Sequence, residues 1–522
     1  MAGRIESIAM AALDSAASAA PLVGQAFDLG LSIVAPNAAV RRQQSRMLLK
    51  ASYEAAKPSR HRKTSRDSSS GNALVERSAF ALRNQARHLE RNHDLAAGIL
   101  DVWSRFVVGP DGISVEPAPK TLDGKLHADF ARQLDEGFAR WAQRPEVTGQ
   151  HNWKRVQRLM SVSNYRDGEA FAQAVQGRAR YNYPTEVPFA LELLEADFVP
   201  LDYNDPDKNI RQGIRCNEWG QPVEFLVYRK HPGDSMMLPL ASDLKSIPAN
   251  RMFHHFNPTR LGQMRGVTQF ACIMARLGDL KEYEEYERIA AKLSAAFTAA
   301  FKRASGSSYV DANGANRPLR DIFMAEPGML LMDMDQHDEV QFFDHNRPNP
   351  QLEPYRDGQL KGVGAGGRVG YSSISRNYRG TYSGQRQEVV EQWPSYQIAT
   401  SDFICDVARP VRDRWIDMAV ASGAIRVPAE LDLNTLYDAD YRGPKMPTID
   451  PAKEALAQEI LVRNRFKSPI QVIRETNGAE WRDVIEQFID FHSRIKDEGG
   501  AELLPEYTNF TPLPTEREQD AA

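Results

Sequence analysis

RPNPQLEPYRDGQLKGVGAGGRVGYSSISRNYRGTYSGQRQEVVEQW, residues 347–393, is the stretch around which we expect the rest of the chain to be organised. It begins with a proline-rich turn and continues through a polar segment, 352–361, that is compatible with a helix. Five glycines and a loop rich in tyrosine, serine, arginine and asparagine follow. A helical pattern resumes at Gln385 and runs towards Trp393. Long loops within compact folds are usually functional or disordered, and this one carries residue types that contact polymers but no catalytic pair.

The glycine cluster contains a pattern that is also found in nucleotide-binding proteins. Gly362, Gly364 and Gly367 satisfy G-x-G-x-x-G, which in dinucleotide-binding folds follows a strand and opens a helix. Here the preceding residues are polar and helical, so the context of the pattern is wrong and we expect no cofactor. A nucleotide-dependent oxidoreductase that uses this cluster is kept as an alternative function. The chain also lacks the G-x-x-x-x-G-K-[ST] sequence of a P-loop motor.

Composition indicates a globular protein of several domains without strong affinity for nucleic acid. A chain of 522 residues favours about three domains. The net charge of −4 argues against tight non-specific binding of nucleic acid, which requires dense lysine and arginine. Cys216, Cys272 and Cys405 are far apart and odd in number, so we expect a reducing compartment, no disulfide framework and no zinc. We expect no membrane span, because no apolar stretch approaches about 20 residues.

Both ends of the chain are polar or weakly patterned. Residues 1–71 begin with small residues and end in the basic, serine-rich run KPSRHRKTSRDSSSG, which we interpret as a partly disordered arm. The arm could instead lie against nucleic acid or a neighbouring subunit, so a nucleic-acid-binding regulator that uses residues 57–66 is a second alternative function. Residues 501–522 form a polar tail with proline and glutamate, which is predicted to be disordered.

Alternating helical and strand patterns fill residues 72–256. The first helix begins at Asn72, with Leu74, Ala81, Leu82 and Leu89 on its apolar face and arginines elsewhere. Further helices cover 94–106, the region of Phe138 and Trp141, and the residues from Trp153 to about Ser163. Residues 189–256 are predicted to be mostly strands, with a hairpin connection at 217–220. The adjacent His254 and His255 would face opposite sides of a strand, which favours packing over metal binding.

The longest periodic segment, 267–302, predicts one helix of about 35 residues and roughly 50 Å. Its single apolar stripe requires a long partner, from the same chain or a neighbour, and Gly278 is its weak point. Residues 304–346 are predicted to form a small β-rich module. Asp333, Asp335, His337 and Asp338 within it lack the spacing of a calcium loop, so we expect no metal.

The C-terminal third is predicted to be helical. Residues 383–422 form helices with one break at Pro394 and another before Arg409 and Pro410. Three capped helices follow an irregular connector. Asp450 and Pro451 begin one, Ser468 begins the second with a capping box, and the third begins near Trp481.

Four stretches, in this order, resemble the lambda-type portal proteins of tailed bacteriophages. They are RNQARHLERNHDLAAGILDVWSRFVVGPDGISVEP (83–117), FHHFNPTRLGQMRGVTQFACIMARLGDLKEYEEYE (253–287), YSSISRNYRGTYSGQRQEVVEQW (371–393) and MPTIDPAKEALAQEILVRNRFKSP (446–469). The second contains F-x-P-x-R-x-x-Q-x-R-G, and the fourth contains IDP-x-KE. The resemblance covers about residues 74–500. The chain departs from the family in its short 304–346 module and in the glycine cluster before the third stretch.

The resemblance implies an α+β, predominantly helical portal fold whose subunits form a ring, normally a dodecamer, at the capsid vertex of a virion. Double-stranded DNA is packaged and later ejected through such a ring. The implied partners are the terminase large subunit, head–tail connector or adaptor proteins, and the major capsid and scaffold proteins, without a membrane. The implied location is the virion, with host cytoplasm during assembly, and the portal protein itself is not an enzyme.

The family's parts map onto the predicted elements of this chain. The mapping is 1–71 arm, 72–266 wing, 267–303 stem helix, 304–346 clip, 347–369 second stem helix, 370–383 tunnel loop, 384–445 wing return helices, 446–500 crown and 501–522 tail.

The tunnel loop supplies the residues that we expect to face DNA. A channel must let the duplex slide, so few arginines that contact only the phosphate backbone suit it better than deep electrostatic wells. The alternative for each is an ordinary surface role, most of all for Arg386. The expected DNA-facing residues are Arg376, Asn377, Tyr378, Arg379, Tyr382, Ser383 and Arg386.

Overall fold

The computed structural model describes residues 68–177, 182–234, 243–296, 299–302, 339–342, 349–447, 450–477 and 481–497. Predictions for the basic run 57–66, for most of the 304–346 module including its acidic residues, and for the 501–522 tail lie outside these residues. What is described is an α+β fold in which helices predominate, as the sequence predicts.

The first part of the fold combines four helices with short strands. The helices are α1 (Gly71–Asn92), α2 (Asp94–Val107), α3 (Ala128–Ala142) and α4 (Trp153–Asp167). The strands are β1 (Ser114–Pro117), β2 (Glu169–Gln176), β3 (Phe189–Leu194), β4 (Ile210–Arg211), β5 (Ile214–Cys216), β6 (Pro222–Tyr228), β7 (Leu244–Pro248) and β8 (Met252–Phe256).

The second part is mainly helical. Its elements are α5 (Met274–Ala296), β9 (Ala299–Lys302), β10 (Glu339–Phe342), α6 (Leu352–Gly367), α7 (Tyr371–Ser375), α8 (Tyr382–Phe403), a π-helical turn (Ile404–Ala408), α9 (Arg409–Ser422), β11 (Ala439–Arg442), α10 (Pro451–Arg463), α11 (Pro469–Asn477) and α12 (Trp481–Asp497).

The strands form small antiparallel sheets rather than one large one. Their orders are β3–β2–β8, β4–β5–β6–β7, β1–β11 and β9–β10. The predicted hairpin is confirmed between β5 and β6, where Gly220 N donates to Asn217 O at 3.0 Å. Because β2 is the middle strand of its sheet and directly follows α4, this helix and strand place the surrounding elements.

Helix α4 contributes to two apolar cores. Val156 and Met160 pack with α3, α9 and the β2–β3 pair. Tyr165, near the end of the helix, belongs to a second core with α2, α6, α8 and the beginning of α5. Tyr165 is fully buried, and its hydroxyl donates to Gly367 O at 2.7 Å. The turn of α4 that bears Tyr165 therefore fixes where α6 ends.

A buried carboxylate, Glu169, joins the elements around the start of α5. Arg265 donates to it through Nη2 at 2.7 Å and through Nε at 2.8 Å. Arg83 of α1 donates to the same carboxylate at 2.9 Å. Glu169 and Arg265 have no exposed side-chain surface. Burial raises the pKa of Glu169, but both arginines and a hydrogen bond with His254 outweigh burial, so the pKa lies well below its ordinary value of 4.5. This stabilisation is present above the unfolded pKa and is lost as pH falls through the depressed folded pKa.

The F-x-P-x-R-x-x-Q-x-R-G motif is explained by this network. Its last arginine is Arg265, and the following Gly266 lies so close to Gly168 that a Cβ would be 1.9 Å from Gly168 O. Its glutamine, Gln263, is buried and donates to Arg265 O at 2.7 Å. The motif therefore has a structural role: it holds the residues that precede α5 against the beginning of β2.

The α1 prediction is correct for the helix and in part for its face, because Leu82 and Leu89 pack against the second core. The buried residues are Val75, Ala79, Arg83 and Ala86, whereas Ala81 is exposed and Leu74, Leu82 and Leu89 are only partly buried. The apolar periodicity is displaced because Arg83 occupies the buried stripe, where Glu169 neutralises it. A pattern of apolar residues alone predicts that every arginine of α1 faces solvent, whereas Arg83 is buried.

The prediction of a single helix over 267–302 is also wrong. Gln269–Cys272 form a 3-10 turn that Thr268 caps, and α5 begins only at Met274. Residues 299–302 form β9 and pair with β10, because a partner strand supplies the backbone hydrogen bonds that a helix would otherwise provide. Gly278 lies inside α5 without a break.

Helices α5 and α6 pack along each other. Arg356 donates to Glu284 at 2.7 Å, and the rings of Tyr283 and Tyr355 are 4.7 Å apart. The apolar stripe of α5 is buried as far as Leu280, which is 1% exposed. Beyond that residue Tyr286 is 68% exposed and Ile289 is 46% exposed, so α6 leaves these two residues of the stripe uncovered.

The glycine cluster is helical rather than a loop, because α6 runs to Gly367. A Cβ on Gly366 would lie 2.6 Å from Ile273 Cγ2, and one on Gly362 would meet the guanidinium of Arg276. Four residues apart, these glycines form a smooth face on α6. They allow α6 to approach the 3-10 turn before α5, so close packing, rather than a nucleotide, accounts for them.

The predicted break at Pro394 is absent, and α8 continues through it. Proline removes the hydrogen bond to Val390, a residue that is 44% exposed, so water can satisfy the freed carbonyl. The second predicted break is a π-helical turn, Ile404–Ala408, followed without interruption by α9. A widened turn accommodates Pro410 while the chain stays helical.

The three C-terminal helices and two of their predicted caps are confirmed. Asp450 Oδ1 accepts from Lys453 N at 3.2 Å at the start of α10. At the start of α11, Ser468 and Gln471 exchange hydrogen bonds as a capping box, at 3.1 and 3.2 Å.

Replacing Arg265 with Met tests the Glu169 network. We expect the free energy of unfolding to fall by about 3–5 kcal/mol, because the substitution breaks a buried pair. Arg265→Lys should not restore it, since lysine lacks the forked geometry. The control is Arg105→Met, which removes an exposed pair with Asp101 and should cost less than about 0.5 kcal/mol. Urea unfolding by tryptophan fluorescence measures both; similar costs for Arg265→Met and Arg105→Met would contradict the network's role.

Two glycine substitutions test the α5–α6 contact. Gly366→Ala should cost about 1–3 kcal/mol, because its Cβ overlaps Ile273 in a packed core. Gly278→Ala should stabilise by about 0.5–1 kcal/mol, because nothing lies within 4 Å of its Cβ and alanine favours helix. The measurement is the urea midpoint of each variant. A change of the same sign in both variants would show that the glycine face is not a packing surface.

Candidate nucleic-acid interface

The segment that sequence analysis assigns to DNA lies between two helices. Residues 371–375 form α7, residues 376–381 form an irregular loop, and α8 begins at Tyr382. Arg376 ends α7 with φ of 56°, a left-handed conformation that is uncommon outside glycine. Thr381 caps α8 by accepting from Gly384 N at 3.2 Å. The loop is therefore held at both ends by helix termini.

Glu388 of α8 fixes the beginning of α7. Its Oε1 accepts from Ser372 N at 2.8 Å, and its Oε2 accepts from the Ser372 hydroxyl. A carboxylate at this position satisfies backbone N–H groups that a helix leaves unpaired and complements the helix dipole. Ser372 and Glu388 are 16 residues apart in the chain, so no local pattern in the sequence indicates this contact.

Buried aromatic residues support the base of the same segment. Tyr396 is 3% exposed, and Gly370 N donates to its hydroxyl at 3.4 Å. Burial raises the pKa of Tyr396 to about 12, so the hydroxyl stays protonated at neutral pH. Ile374 of α7 packs in the same core. The base of the loop is rigid, while its tip faces outward.

The expected DNA-facing residues differ in accessibility. Arg376, Ser383 and Arg379 are exposed, and the Arg379 side chain is 82% exposed. Tyr378 is 59% exposed. Asn377 is partly buried, and its side chain accepts from Arg379 N at 3.1 Å. Tyr382 is the first residue of α8.

Two of the arginines have acidic neighbours. Arg379 donates to Glu353 of α6 at 3.1 Å, in a pair exposed on both sides. Arg386 donates to Glu454 of α10 at 3.5 Å and is 42% exposed. The Arg386 contact joins the third family-like stretch to the IDP-x-KE stretch, so Arg386 is placed for a structural contact within the chain. Arg376 and Arg379 remain as the accessible cations of the loop itself.

The candidate metal ligands of the described residues do not form a convincing cation site. Glu195, Asp197 and His231 come together, but Arg87 lies 2.6 Å from Asp197 and 3.2 Å from Glu195. Its guanidinium occupies the place where a metal ion would bind. His254 and His255 face opposite sides of β8, as predicted: His254 contacts Glu169 at 3.1 Å and His255 contacts Asp406 at 2.9 Å.

The alternative functions receive no geometric support from the described residues. The glycines 362–367 lie within α6 and follow no strand, so they cannot form the dinucleotide turn. The basic run 57–66 of the regulator alternative lies outside the described residues. Among the helices described, none combines the length and apolar character needed to cross a bilayer.

Replacing Glu388 with Gln tests how the loop is held. We expect trypsin to cleave after Arg376 and Arg379 about tenfold faster, because a neutral amide caps α7 more weakly than a carboxylate. Glu391→Gln, on the same helix, is the matched control and should leave cleavage unchanged. Timed digestion with mass spectrometry gives both rates, and unchanged cleavage in Glu388→Gln would show that the cap does not order the loop.

Comparison with known proteins agrees with the resemblance in the sequence. The family model described as phage portal protein, lambda family, matches residues 57–399. A "Probable portal protein" of Halomonas phage phiHAP-1 is 24% identical over 432 residues, which is 80% of each chain.

Two solved structures align with this chain at low sequence identity. A chain from the neck of a native GTA particle, computed with C12 symmetry, aligns with a TM-score of 0.41 and 11% identity over 76% of this chain and 92% of that one. A chain from the virion of a native gene transfer agent particle aligns with a TM-score of 0.39 and 10% identity over 77% and 97%. With the family model spanning well over half of its length, this chain belongs to the lambda family of phage portal proteins.

Proposed function

We propose that this portal protein forms a ring, normally of twelve subunits, through which double-stranded DNA enters and leaves the capsid. The observation that carries the proposal is the loop 376–381, which presents exposed Arg376 and Arg379 from a base fixed by Glu388 and Tyr396. A fixed base with a polar, exposed tip suits contact with a moving polymer. The family membership supplies the context.

Exposed apolar residues on the α5–α6 pair support association with neighbouring copies. Tyr286, Ile289 and Tyr355 are 68%, 46% and 43% exposed. An isolated subunit leaves this surface in water, whereas side-by-side copies would cover it. We propose that α5 and α6 are the stem pair, 267–303 and 347–369, and that 370–383 is the tunnel loop.

The remaining parts follow the family's plan as proposals. Residues 72–266 and 384–445 form the wing, 446–500 the crown, and 304–346 the clip that docks the terminase large subunit and then the head–tail connector. Major capsid and scaffold proteins would contact the assembled ring in the host cytoplasm and in the virion. The protein supplies no chemistry in this scheme, and terminase performs the ATP hydrolysis.

Weak cation contacts suit a channel. Each phosphate neutralised adds affinity that must be lost when the duplex advances. Within the subunit, Arg379 donates a hydrogen bond to Glu353 at 3.1 Å. A DNA phosphate must therefore compete with this carboxylate for Arg379. That competition lowers the gain at each contact and leaves the duplex free to slide. Contact with phosphates alone is also independent of sequence.

The double variant Arg376→Asn, Arg379→Gln tests the proposal. Asparagine tolerates the left-handed backbone at Arg376, so the loop keeps its path while two charges per subunit are removed. We expect rings to form normally, but packaged DNA per particle should fall severalfold, and the salt dependence of DNA binding should weaken.

The matched control is Arg105→Gln, Arg463→Gln, which removes two exposed arginines from α2 and α10. Native mass spectrometry reports ring assembly, and nuclease-protected DNA reports packaging. Loss of rings in the loop variant would assign these arginines to subunit contacts, and unchanged packaging would remove them from the DNA path. Either result would contradict the proposed role.

A further inference from the structure

The helices α10, α11 and α12, residues 451–497, are attached to the rest of the subunit differently from every other helix described. None of their described side chains is fully buried. Several large apolar residues of this segment are exposed, among them Phe488 and Ile489 of α12, each at 60%, and Phe466 at 79% in the connection between α10 and α11. Burial of apolar surface therefore contributes little to holding α10–α12 on the body of the subunit, as we call the described residues between 68 and 447.

Ion pairs hold the helices instead, with Glu116 of β1 at their centre. Glu116 is 7% exposed, and Arg474 of α11 donates to its Oε1 at 2.9 Å. Arg482 of α12 lies 3.7 Å from the same oxygen. Arg442 of β11 contacts the other oxygen. One carboxylate of the body thus receives cations from two of the C-terminal helices.

The pairing of β1 with β11 explains why an arginine is needed there. Glu116 and Asp440 are directly opposite each other in the antiparallel register, and like charges in that position repel. Arg474 reaches both, with Nη2 at Glu116 and Nη1 3.5 Å from Asp440. Its fork bridges two carboxylates that the strand pairing forces together.

Two further ion pairs between these helices and the body are longer and more exposed. Arg132 and Glu486 are 3.5 Å apart and about two-thirds exposed. Arg386 and Glu454 are also 3.5 Å apart. An open cavity of about 640 Å³, lined in part by Leu126, Ile470 and Trp481, separates the two surfaces near Glu116. The interface is therefore loosely packed, and these three apolar side chains line an open cavity instead of closing against each other.

We propose that α10–α12 form a unit that is docked on the body by an ionic latch at Glu116 and that undocks, without unfolding of the body, when the latch is screened or removed. The exposed pairs Arg132–Glu486 and Arg386–Glu454 weaken with ionic strength. Salt reaches Glu116 less directly, through Arg474 and Arg482, whose side chains are about a quarter exposed. The apolar cores of the body gain no such sensitivity. The pair between Arg386 and Glu454 links this unit to the helix that follows the exposed arginine loop. The inference concerns one subunit and does not depend on DNA passing through a ring.

Hydrogen exchange of the full chain, read by mass spectrometry, tests the latch. In Arg474→Gln we expect exchange in peptides from 451–497 to rise about tenfold, since the substitution removes the cation that Glu116 and Asp440 share, while peptides from α2, α4 and β2 stay unchanged. In the unaltered protein, raising NaCl from about 0.05 M to about 0.5 M should have the same localised effect.

The matched control is Arg494→Gln on α12, whose ion pair with Asp490 lies within its own helix. It should leave exchange unchanged at both salt concentrations. Unchanged exchange in Arg474→Gln would overturn the latch, as would an increase that spreads over the body, because the helices would then belong to the cooperative core. Salt-independent exchange in the unaltered protein would overturn it as well.

Discussion

Glu169 has no contact with solvent, and its charge is compatible with folding only because Arg265 and Arg83 reach it from two other parts of the chain. An unpaired carboxylate at this depth would cost several kcal/mol. Three segments must therefore meet: α1 with Arg83, β2 with Glu169, and the connection between β8 and the 3-10 turn with Arg265. The direction in which α5 leaves the body, and with it the position of α6, depends on that meeting.

The same constraint explains how sequence and fold are connected in the portal-like stretches. The arginine and glycine that close F-x-P-x-R-x-x-Q-x-R-G contact Glu169 and Gly168, and neither of these two residues belongs to the loop that we assign to DNA. Because these motif residues hold the fold together, their presence indicates the fold of the subunit and not its contact with DNA. The functional assignment depends instead on the exposed loop 376–381 and on the proposal that copies assemble around a channel.

Much of the fold could be predicted because local patterns and tertiary structure agree in most elements. Capping residues located α10 and α11, and alternation located β6 and β8. Errors arose where a distant partner decides the outcome. Residues 299–302 pair with a strand almost 40 residues away in sequence, Arg83 is buried because of Glu169, and the glycines of α6 are small because Ile273 lies against them. Single-sequence patterns contain no information on such partners.

The candidate site was predictable in residue type but not in arrangement. Arginine, tyrosine and asparagine in one polar segment indicated contact with a polymer. The structure adds Glu388 and Thr381 at the loop ends, Glu353 beside Arg379, and Glu454 beside Arg386. Each of these lies on another helix or at a helix terminus, and together they distinguish two accessible arginines from one that is engaged within the subunit.

Electron cryomicroscopy of the purified protein, with and without short duplex DNA, tests the central claim most directly. The account predicts closed rings with an opening wide enough for a duplex, with Arg376 and Arg379 of every subunit facing the opening. Rings that place residues 376–381 on the outer rim would contradict it, as would a protein that stays monomeric under all ionic conditions.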